Sequence, residues 1–337
     1  MSSAPPFPDP MSDSAPRNPD AAFDSDDAIL PFQVDALDAR GRVVRLGAVV
    51  DRILHRHAYP TPVSRLLGEA VALTALLGTS LKFEGRFQLQ TRTDGAVDML
   101  VVDFAAPDQL RGYARFNADK LAALAANVSP AELLGKGHLA LTIDQGAHMQ
   151  RYQGLVPLDG QGLEEAAHQY FLRSEQIPTR VRLAVAEEIV AEDGHSRTRW
   201  RAGGLFVQFL PQSLDRQRQA EFDPGDAPAG TTSAPFREDD AWVEVRSLVE
   251  TIEDHELVDP AVSAPNLLYR LFHERGVRAY EPVPLVERCH CSSARILEML
   301  KRFAPEEKQA MLGDDGQIGV TCEFCSTRYR FTLDEVQ

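Results

Sequence analysis

The residues with the clearest potential for chemistry are the four cysteines, which form two close pairs near the end of the chain. One residue separates Cys289 from Cys291, and two residues separate Cys322 from Cys325. Two pairs of sulfur ligands on either side of a spacer that can fold back are what a tetrahedral zinc site requires. The spacing therefore predicts one metal ion per chain, most simply Zn²⁺, bound by all four cysteines. His290, inside the first pair, is then not needed as a ligand and is expected at the surface.

The elements that would hold these pairs are a helix and a hairpin. Ser292 or Ser293 can cap a helix that carries apolar residues as far as Phe303, and residues 318–331 have the pattern of strand, metal knuckle and strand. Residues 286–337 can bury little apolar surface. Bound metal contributes on the order of 10 kcal/mol to the folding of small zinc peptides. We therefore expect this module to unfold when the metal is removed.

The spacing of the cysteines leaves two uses open. The first is static: structural zinc presents a surface to a protein or nucleic-acid partner. From Leu285 to Gln337, seven Lys/Arg stand against nine Asp/Glu, a balance of −2 that weakens the nucleic-acid option. The second is dynamic: thiolates kept ready by zinc are oxidised to disulfides, which destroys the ligands and releases the metal.

Composition excludes several other classes of function. The formal net charge of −15 disfavours a general phosphate-binding role, so no nucleic-acid partner is expected. The most apolar run, Leu66–Leu81, is interrupted by Glu69 and is too short to span a membrane. The N-terminus shows no secretory signal, which predicts a cytoplasmic protein. In a reducing cytosol, clustered cysteines indicate a metal site or a redox sensor, not structural disulfides.

Motifs for catalysis are missing from the sequence, and we predict that the protein is not an enzyme. Gly160–Gln161–Gly162 suggests a dinucleotide-binding turn, but Glu165 stands where that fingerprint needs Gly or Ala. Glu164 and Glu165 would also repel a pyrophosphate at the following helix N-terminus. The sequence has no GxxxxGK[ST], GxSxG or HExxH motif.

The hydrophobic pattern predicts an α+β fold, with a large N-terminal domain of antiparallel strands and inserted helices, a helical middle linker and the small cysteine module. Two strands near Val34 and Val43 are expected to be joined by a polar turn at Asp38–Gly41. Two helices are expected in the linker, one through Trp242 and one after Pro265. The predicted segments are a disordered tail at 1–28, the α+β domain at 29–211, a flexible connector and helical linker at 212–285, and the module at 286–337.

At the two cysteine pairs and at several other blocks, the chain resembles the redox-regulated holdase chaperones of the 33 kDa heat-shock protein family. The resemblance covers roughly Leu30 to Phe331 and departs at the N-terminal tail and in the 212–240 connector. Besides the two cysteine pairs, the matching blocks are Tyr59–Val63, Leu81–Gly85, Arg111–Gly112, Arg151–Gly154, Tyr170–Arg180, Ala202–Gly204 and Tyr269–Glu274.

The resemblance implies a specific activity and a specific site. The reduced, zinc-bound protein would be inactive as a chaperone. Peroxide with heat, or hypochlorite, would form the disulfides Cys289–Cys291 and Cys322–Cys325 and expel the zinc. The middle segment would then lose order, and the protein would bind unfolding client proteins without ATP. Oxidised members of the family also tend to form homodimers.

Overall fold

The computed structural model describes residues 26–80, 85–125, 127–145, 151–192, 195–210 and 239–336. Residues 1–25 of the predicted tail, residue 211, residues 212–238 of the predicted connector and most of Leu81–Gly85 lie outside these ranges. Residues 26–28, at the end of the predicted tail, are among the described residues. The carboxylate of Asp27 accepts hydrogen bonds from the backbone N–H groups of Gly47 and Val49, each at 2.9 Å.

The described chain is an α+β structure with two six-stranded, largely antiparallel sheets and a C-terminal hairpin, as the pattern predicted. The strands are β1 (Ala28–Val34), β2 (Ala39–Leu46), β3 (Arg86–Thr93), β4 (Val97–Ala105), β5 (Gln109–Phe116), β6 (Lys136–Asp144), β7 (Tyr152–Asp159), β8 (Thr179–Glu192), β9 (His195–Phe209), β10 (Arg278–Ala279), β11 (Val283–Pro284), β12 (Val286–Glu287), β13 (Gln317–Thr321) and β14 (Arg328–Thr332).

The helices lie between the sheets, over one sheet and in the C-terminal module. They are α1 (Ala48–His55), α2 (Thr61–Ser80), α3 (Ala118–Ala122), α4 (Pro130–Leu134), α5 (Leu163–Tyr170), α6 (Asp240–Glu250), α7 (Asp254–Val258), α8 (Ala264–Phe272), α9 (Ser293–Leu300) and α10 (Pro305–Ala310). A π-helical turn, Phe171–Glu175, follows α5. The sequence predicted two linker helices, whereas the structure adds α7, which is too short to show a helical period.

The strand order explains how late segments of the chain join the first domain. The first sheet runs β10-β1-β2-β9-β8, with β11 also paired to β1, and the second runs β12-β5-β4-β3-β6-β7. Strands β10 and β11 follow the linker helices, and β12 lies at the start of the cysteine module, just before Cys289. The β12–β5 pairing is parallel, with Val286 opposite Gln109. Both sheets are thus completed by residues that follow the last linker helix in the sequence.

The main core lies around α2, which contacts strands of both sheets. Fourteen of its twenty residues are buried, more than one apolar stripe would bury, because a helix between two sheets is covered on most sides. A second core lies on the opposite face of the first sheet. There, α6, α7 and α8 cover strand residues such as Phe32, whose ring stacks on Phe272 at 5.8 Å.

The turn predicted at Asp38–Gly41 is wrong in its position. A short 3₁₀ turn occupies Asp35–Leu37, Asp38 takes left-handed angles (φ 47°), and Gly41 lies within β2. The glycine is required by packing. A Cβ at Gly41 would lie 2.3 Å from the carbonyl oxygen of Phe206 and 2.5 Å from the ring of Phe32.

Candidate metal centre

The second cysteine pair is held by a tight knuckle between β13 and β14. The backbone N–H of Cys322 donates to the carbonyl of Thr327 at 2.9 Å, and the N–H of Ser326 donates to the carbonyl of Cys322 at 2.8 Å. Ser326 takes a left-handed conformation (φ 56°), which closes the turn. The first pair precedes α9, whose N-terminus is capped by the side chain of Ser292. The predicted capped helix and hairpin are both present.

The fold brings the four sulfur atoms into one cluster. One sulfur atom from each cysteine contributes to a group whose members all lie within 4.8 Å of one another, and His290 is not part of it. The Sγ atoms of Cys289 and Cys322 are 3.7 Å apart, and those of Cys291 and Cys325 are 3.3 Å apart. All four are free thiols and are partly buried. The four cysteines therefore form a possible metal site.

The donor set fits a tetrahedral thiolate metal. Zn–S bonds of about 2.3 Å in a tetrahedron place sulfur atoms about 3.8 Å apart, close to the Cys289–Cys322 separation. Burial raises the pKa of the Cys291 thiol to about 12, and it also raises the pKa of Cys322. Burial would also raise the pKa of Cys325, but hydrogen bonds with Thr327, Cys291 and Cys289 together lower it to about 7. The four clustered sulfur atoms therefore need a nearby cation if all of them are to be thiolates.

Polar neighbours orient individual sulfur atoms. The hydroxyl of Tyr329 donates to Cys291 Sγ at 3.2 Å, and the Thr327 hydroxyl oxygen lies 3.2 Å from Cys325 Sγ. Arg111, on β5, interacts with Cys289 and with Asp103. Burial would lower the pKa of Arg111, but these two partners hold it above its ordinary value. A fixed cation thus lies beside the first sulfur pair.

The cysteine knuckle docks on the second sheet through Phe324, the second of the two residues between Cys322 and Cys325. The guanidinium carbon of Arg111 lies 3.9 Å from the centroid of the Phe324 ring, and the Tyr113 ring meets it edge-on at 4.9 Å. His57 Nε2 lies 3.3 Å from the Phe324 carbonyl oxygen, and His57 Nδ1 lies 3.1 Å from Ser326 Oγ. The docking surface therefore combines one aromatic side chain with cationic and polar partners.

A second attachment lies just before the first cysteine pair. The backbone N–H of Arg288 donates to the carbonyl of Leu110 at 2.9 Å, extending the β12–β5 pairing. Glu287 accepts two hydrogen bonds from the guanidinium of Arg56, the longer at 2.8 Å. The carboxylate is nearly buried, whereas the Arg56 side chain is 31% exposed. Strand β12 fixes where the chain enters the module.

Sequence reasoning identified the four cysteines but missed the docking residues. No sequence motif assigned His57 to the module, yet its ring contacts the knuckle. Arg111 stood only in a matching block, without a role. The signal that could have found them is weak, because His57 and Phe324 are 267 positions apart. Within the described ranges, no helix combines the length and apolarity that a membrane crossing requires.

The fold and the site define a class of protein: an antiparallel α+β domain that carries a four-cysteine module at the edge of one sheet. Sequence comparison gives the family. The chain belongs to the Hsp33 family: the family model described as Hsp33 protein matches residues 27–332. The 33 kDa chaperonin of Caulobacter vibrioides (strain NA1000 / CB15N) is 47% identical over 308 residues, covering 90% of this chain and 94% of the relative.

More distant relatives agree in sequence and fold. The 33 kDa chaperonin of Pseudomonas aeruginosa PAO1 is 36% identical over 306 residues, covering 90% of this chain and 91% of the relative. The crystal structure of the 33 kDa chaperonin (heat shock protein 33 homolog) of Thermotoga maritima aligns with a TM-score of 0.69. The alignment covers 92% of this chain and 96% of that one at 20% identity, so this likeness concerns the fold.

Proposed function

We propose that the protein is a redox-regulated, ATP-independent holdase chaperone. In its reduced form, Cys289, Cys291, Cys322 and Cys325 bind one Zn²⁺ and the chaperone is inactive. Oxidation of the four cysteines releases the metal and frees apolar surface that binds unfolding proteins. The family and the names of its relatives support a chaperone and suggest no enzymatic activity. The observation that carries the redox part is the clustering of the chain's four thiols in one poorly packed module.

When bound, zinc would keep the sulfurs as thiolates, the form that reacts with oxidants. A thiolate attacks hydrogen peroxide, forming a sulfenic acid and releasing hydroxide. A second thiolate then attacks that sulfur, a disulfide forms, and hydroxide leaves. Formation of each disulfide thus transfers two electrons from two cysteines to one peroxide. Two peroxides therefore oxidise the four cysteines. We propose the pairs Cys289–Cys291 and Cys322–Cys325. In the reduced cluster, the 3.7 Å and 3.3 Å contacts each join a cysteine of one pair to a cysteine of the other.

Loss of the metal would reach the linker through the module's attachment to the body. The linker helices cover apolar strand residues of the first sheet, and helices of five to eleven residues are marginal without such packing. If β12 and the Phe324 contacts come apart, the linker loses the adjoining structure at its C-terminal end. The apolar faces of α6 and α8, and the sheet face beneath them, would then be available to clients.

The test is to follow zinc and chaperone activity together. Reduced, zinc-loaded protein is treated with peroxide at mildly elevated temperature, and samples are taken over time. A zinc-sensitive dye measures release, and light scattering measures suppression of aggregation of a heat-unfolded client. We expect about one zinc per chain to be released in step with activation. Reductant plus zinc should reverse both changes.

The outcome also separates the alternative uses of the module. Metal that survives complete thiol oxidation, together with a constant partner affinity, would favour a static zinc adaptor. Full aggregation suppression by the reduced, zinc-loaded protein would exclude the switch. Mass spectrometry of the oxidised protein tests the proposed disulfide pairs. Sedimentation of both redox forms tests the further proposal that the oxidised protein is a homodimer, and cell fractionation tests the proposed cytoplasmic location.

A further inference from the structure

The C-terminal end of α7 is held to the first sheet by its main chain. Arg201, on β9, donates from Nε to the carbonyl oxygen of Val258 at 2.8 Å. Arg45, on β2, donates to the carbonyl oxygens of Asp259 at 2.6 Å and Val262 at 2.5 Å. Both arginine side chains are nearly buried, with 8% exposure for Arg45 and 11% for Arg201. The linker is therefore bound here through groups that every polypeptide possesses.

A glycine next to the two arginines lets the linker backbone approach the sheet closely. Gly203 is the register partner of Arg45 and lies two residues after Arg201, so all three share one face of the sheet. A Cβ at Gly203 would lie 2.0 Å from the carbonyl oxygen of Leu257. We call Arg45, Arg201 and Gly203 the main-chain seat. Because Gly203 has no side chain, the backbone of another segment can lie directly on the sheet at this point.

The charge around the main-chain seat favours a neutral ligand. Asp26 pairs with both arginines, with Oδ1 at 3.4 Å from Arg45 Nε and Oδ2 at 2.5 Å from Arg201. Glu188 lies 3.7 Å from Arg201. Two carboxylates therefore accompany two guanidiniums. Asp26 and Glu188 would repel a further carboxylate, whereas a peptide carbonyl accepts a hydrogen bond without adding negative charge.

We propose that the main-chain seat binds the backbone carbonyls of unfolded clients after the linker has left it. In the resting protein, residues 257–262 occupy the seat and act as an internal mimic of the client. This inference rests on the proposed function, because it requires a state in which the linker is released. It assigns the N-terminal sheet a polar binding site in addition to apolar surface.

The chemistry of the seat suits a client without a fixed sequence. A folded protein uses most of its backbone carbonyls in its own helices and sheets, whereas an unfolded chain exposes them. Each guanidinium presents up to five N–H donors in a planar arrangement. When the linker leaves, three of its carbonyl acceptors leave with it. An unfolded client can supply the same acceptors whatever its side chains, and this would distinguish unfolded from folded proteins.

The experiment measures client binding by the fully oxidised, zinc-free chain, in which the linker is already released. The probe is an unstructured peptide of Ala, Ser, Leu and Gln with acetylated and amidated ends, so that it carries no carboxylate. Calorimetry compares wild type with Arg201→Gln, Arg201→Lys and Arg45→Gln. Arg40→Gln is the matched control, since Arg40 is an exposed arginine on the same strand as Arg45. Circular dichroism and zinc content before oxidation show that each variant is folded.

We expect Arg201→Gln and Arg45→Gln each to raise the Kd for the peptide about tenfold, the effect of losing one charge-assisted hydrogen bond. Arg201→Lys keeps the charge beside Asp26 but not the planar donors, and should raise the Kd about threefold. Arg40→Gln should leave it unchanged. Equal affinity in all variants, or an equal loss in Arg40→Gln, overturns the proposal. Oxidised wild type that suppresses aggregation of a client but does not bind the peptide also overturns the proposal, whereas failure to do either means that the proposed function itself fails.

Discussion

The interior of the N-terminal domain and the cysteine module are stabilised by different means. Forty-three buried apolar residues of the described chain form the core around α2. The corresponding core of the module contains four, Leu300, Ile318, Phe331 and Val336. Burial of apolar surface is the main force that offsets the entropy of ordering a chain. The domain can therefore be stable by packing alone, whereas the module needs an additional source of stability.

The linker helices resemble the domain interior in chemistry and the module in size. Their packing on the sheet buries large side chains such as Trp242 and Phe272, but each helix is short. Their stability depends on remaining docked. The comparison thus orders three regions by the expected ease of unfolding: the module without metal, then the undocked linker, and last the domain interior.

Removal of the metal should have the largest effect. Chelation of zinc from the reduced protein should unfold the module, because metal binding contributes on the order of 10 kcal/mol to such sites. Hydrogen exchange should show loss of protection in α9, β13 and β14, with α2 unchanged. The zinc-loaded protein in the same buffer is the control. Retained protection throughout β13 and β14 after complete chelation would show that four apolar residues are enough.

Gly203→Ala should release the linker while the cysteines stay reduced. The new Cβ would clash with the Leu257 carbonyl, and overpacking of this kind costs about 3 kcal/mol. We expect faster hydrogen exchange in α7 and α8 with zinc still bound. Gly162→Ala is the control, because a Cβ there meets only an ordinary contact at 3.9 Å. A protected linker in the folded variant would contradict the close approach of α7 to β9.

Phe324→Ala should loosen the docking of the module without unfolding it. The change removes the ring contacts with Arg111 and Tyr113, which together contribute about 1–2 kcal/mol. We expect zinc affinity to be nearly unchanged and zinc release by peroxide to be faster, measured with a zinc-sensitive dye. Met299→Ala, an exposed change in the same module, is the control. An unaltered release rate would mean that docking does not limit oxidation.

Glu69→Gln should have the smallest effect and concerns the domain interior. Burial raises the pKa of Glu69 to about 8, with further contributions from Glu164 and Asp254. A raised folded-state pKa means that the stability associated with the protonated group is present below pH 4.5 and is lost as the pH rises toward 8. The variant cannot ionise, so it should be more stable than wild type at pH 8.

The expected gain for Glu69→Gln is about 1 kcal/mol, or a rise of a few degrees in Tm, at pH 8. Thermal unfolding at pH 5 and pH 8 measures it, and the difference between the two proteins should shrink at pH 5. Glu165→Gln, an exposed change on α5, should leave the pH dependence as in wild type. A decline with pH that is identical in wild type and Glu69→Gln would show that this carboxyl does not titrate in the core.

The sequence predicted features that depend on local spacing and missed those that depend on long-range contacts. Cysteine spacing identified the sulfur cluster, and alternation of apolar residues identified the strands. Gly41 was interpreted as a turn residue, but the ring of Phe32 explains it, and that ring can be located only in three dimensions. The arginines of the main-chain seat, Arg45 and Arg201, lie in ordinary strand sequences. Their role depends on carbonyl groups, which leave no pattern in a sequence.

The parallel pairing of β12 with β5 has a mechanical consequence. Arg288 alone stands between Glu287, whose carboxylate is clamped by Arg56, and Cys289. Two residue steps span at most about 7 Å of extended chain. Cys289 therefore cannot lie farther than about 7 Å from the docked position of Glu287 unless β12 leaves the edge of its sheet. If oxidation moves Cys289 beyond that reach, chain length alone would couple a reaction at sulfur to the separation of β12 from its sheet.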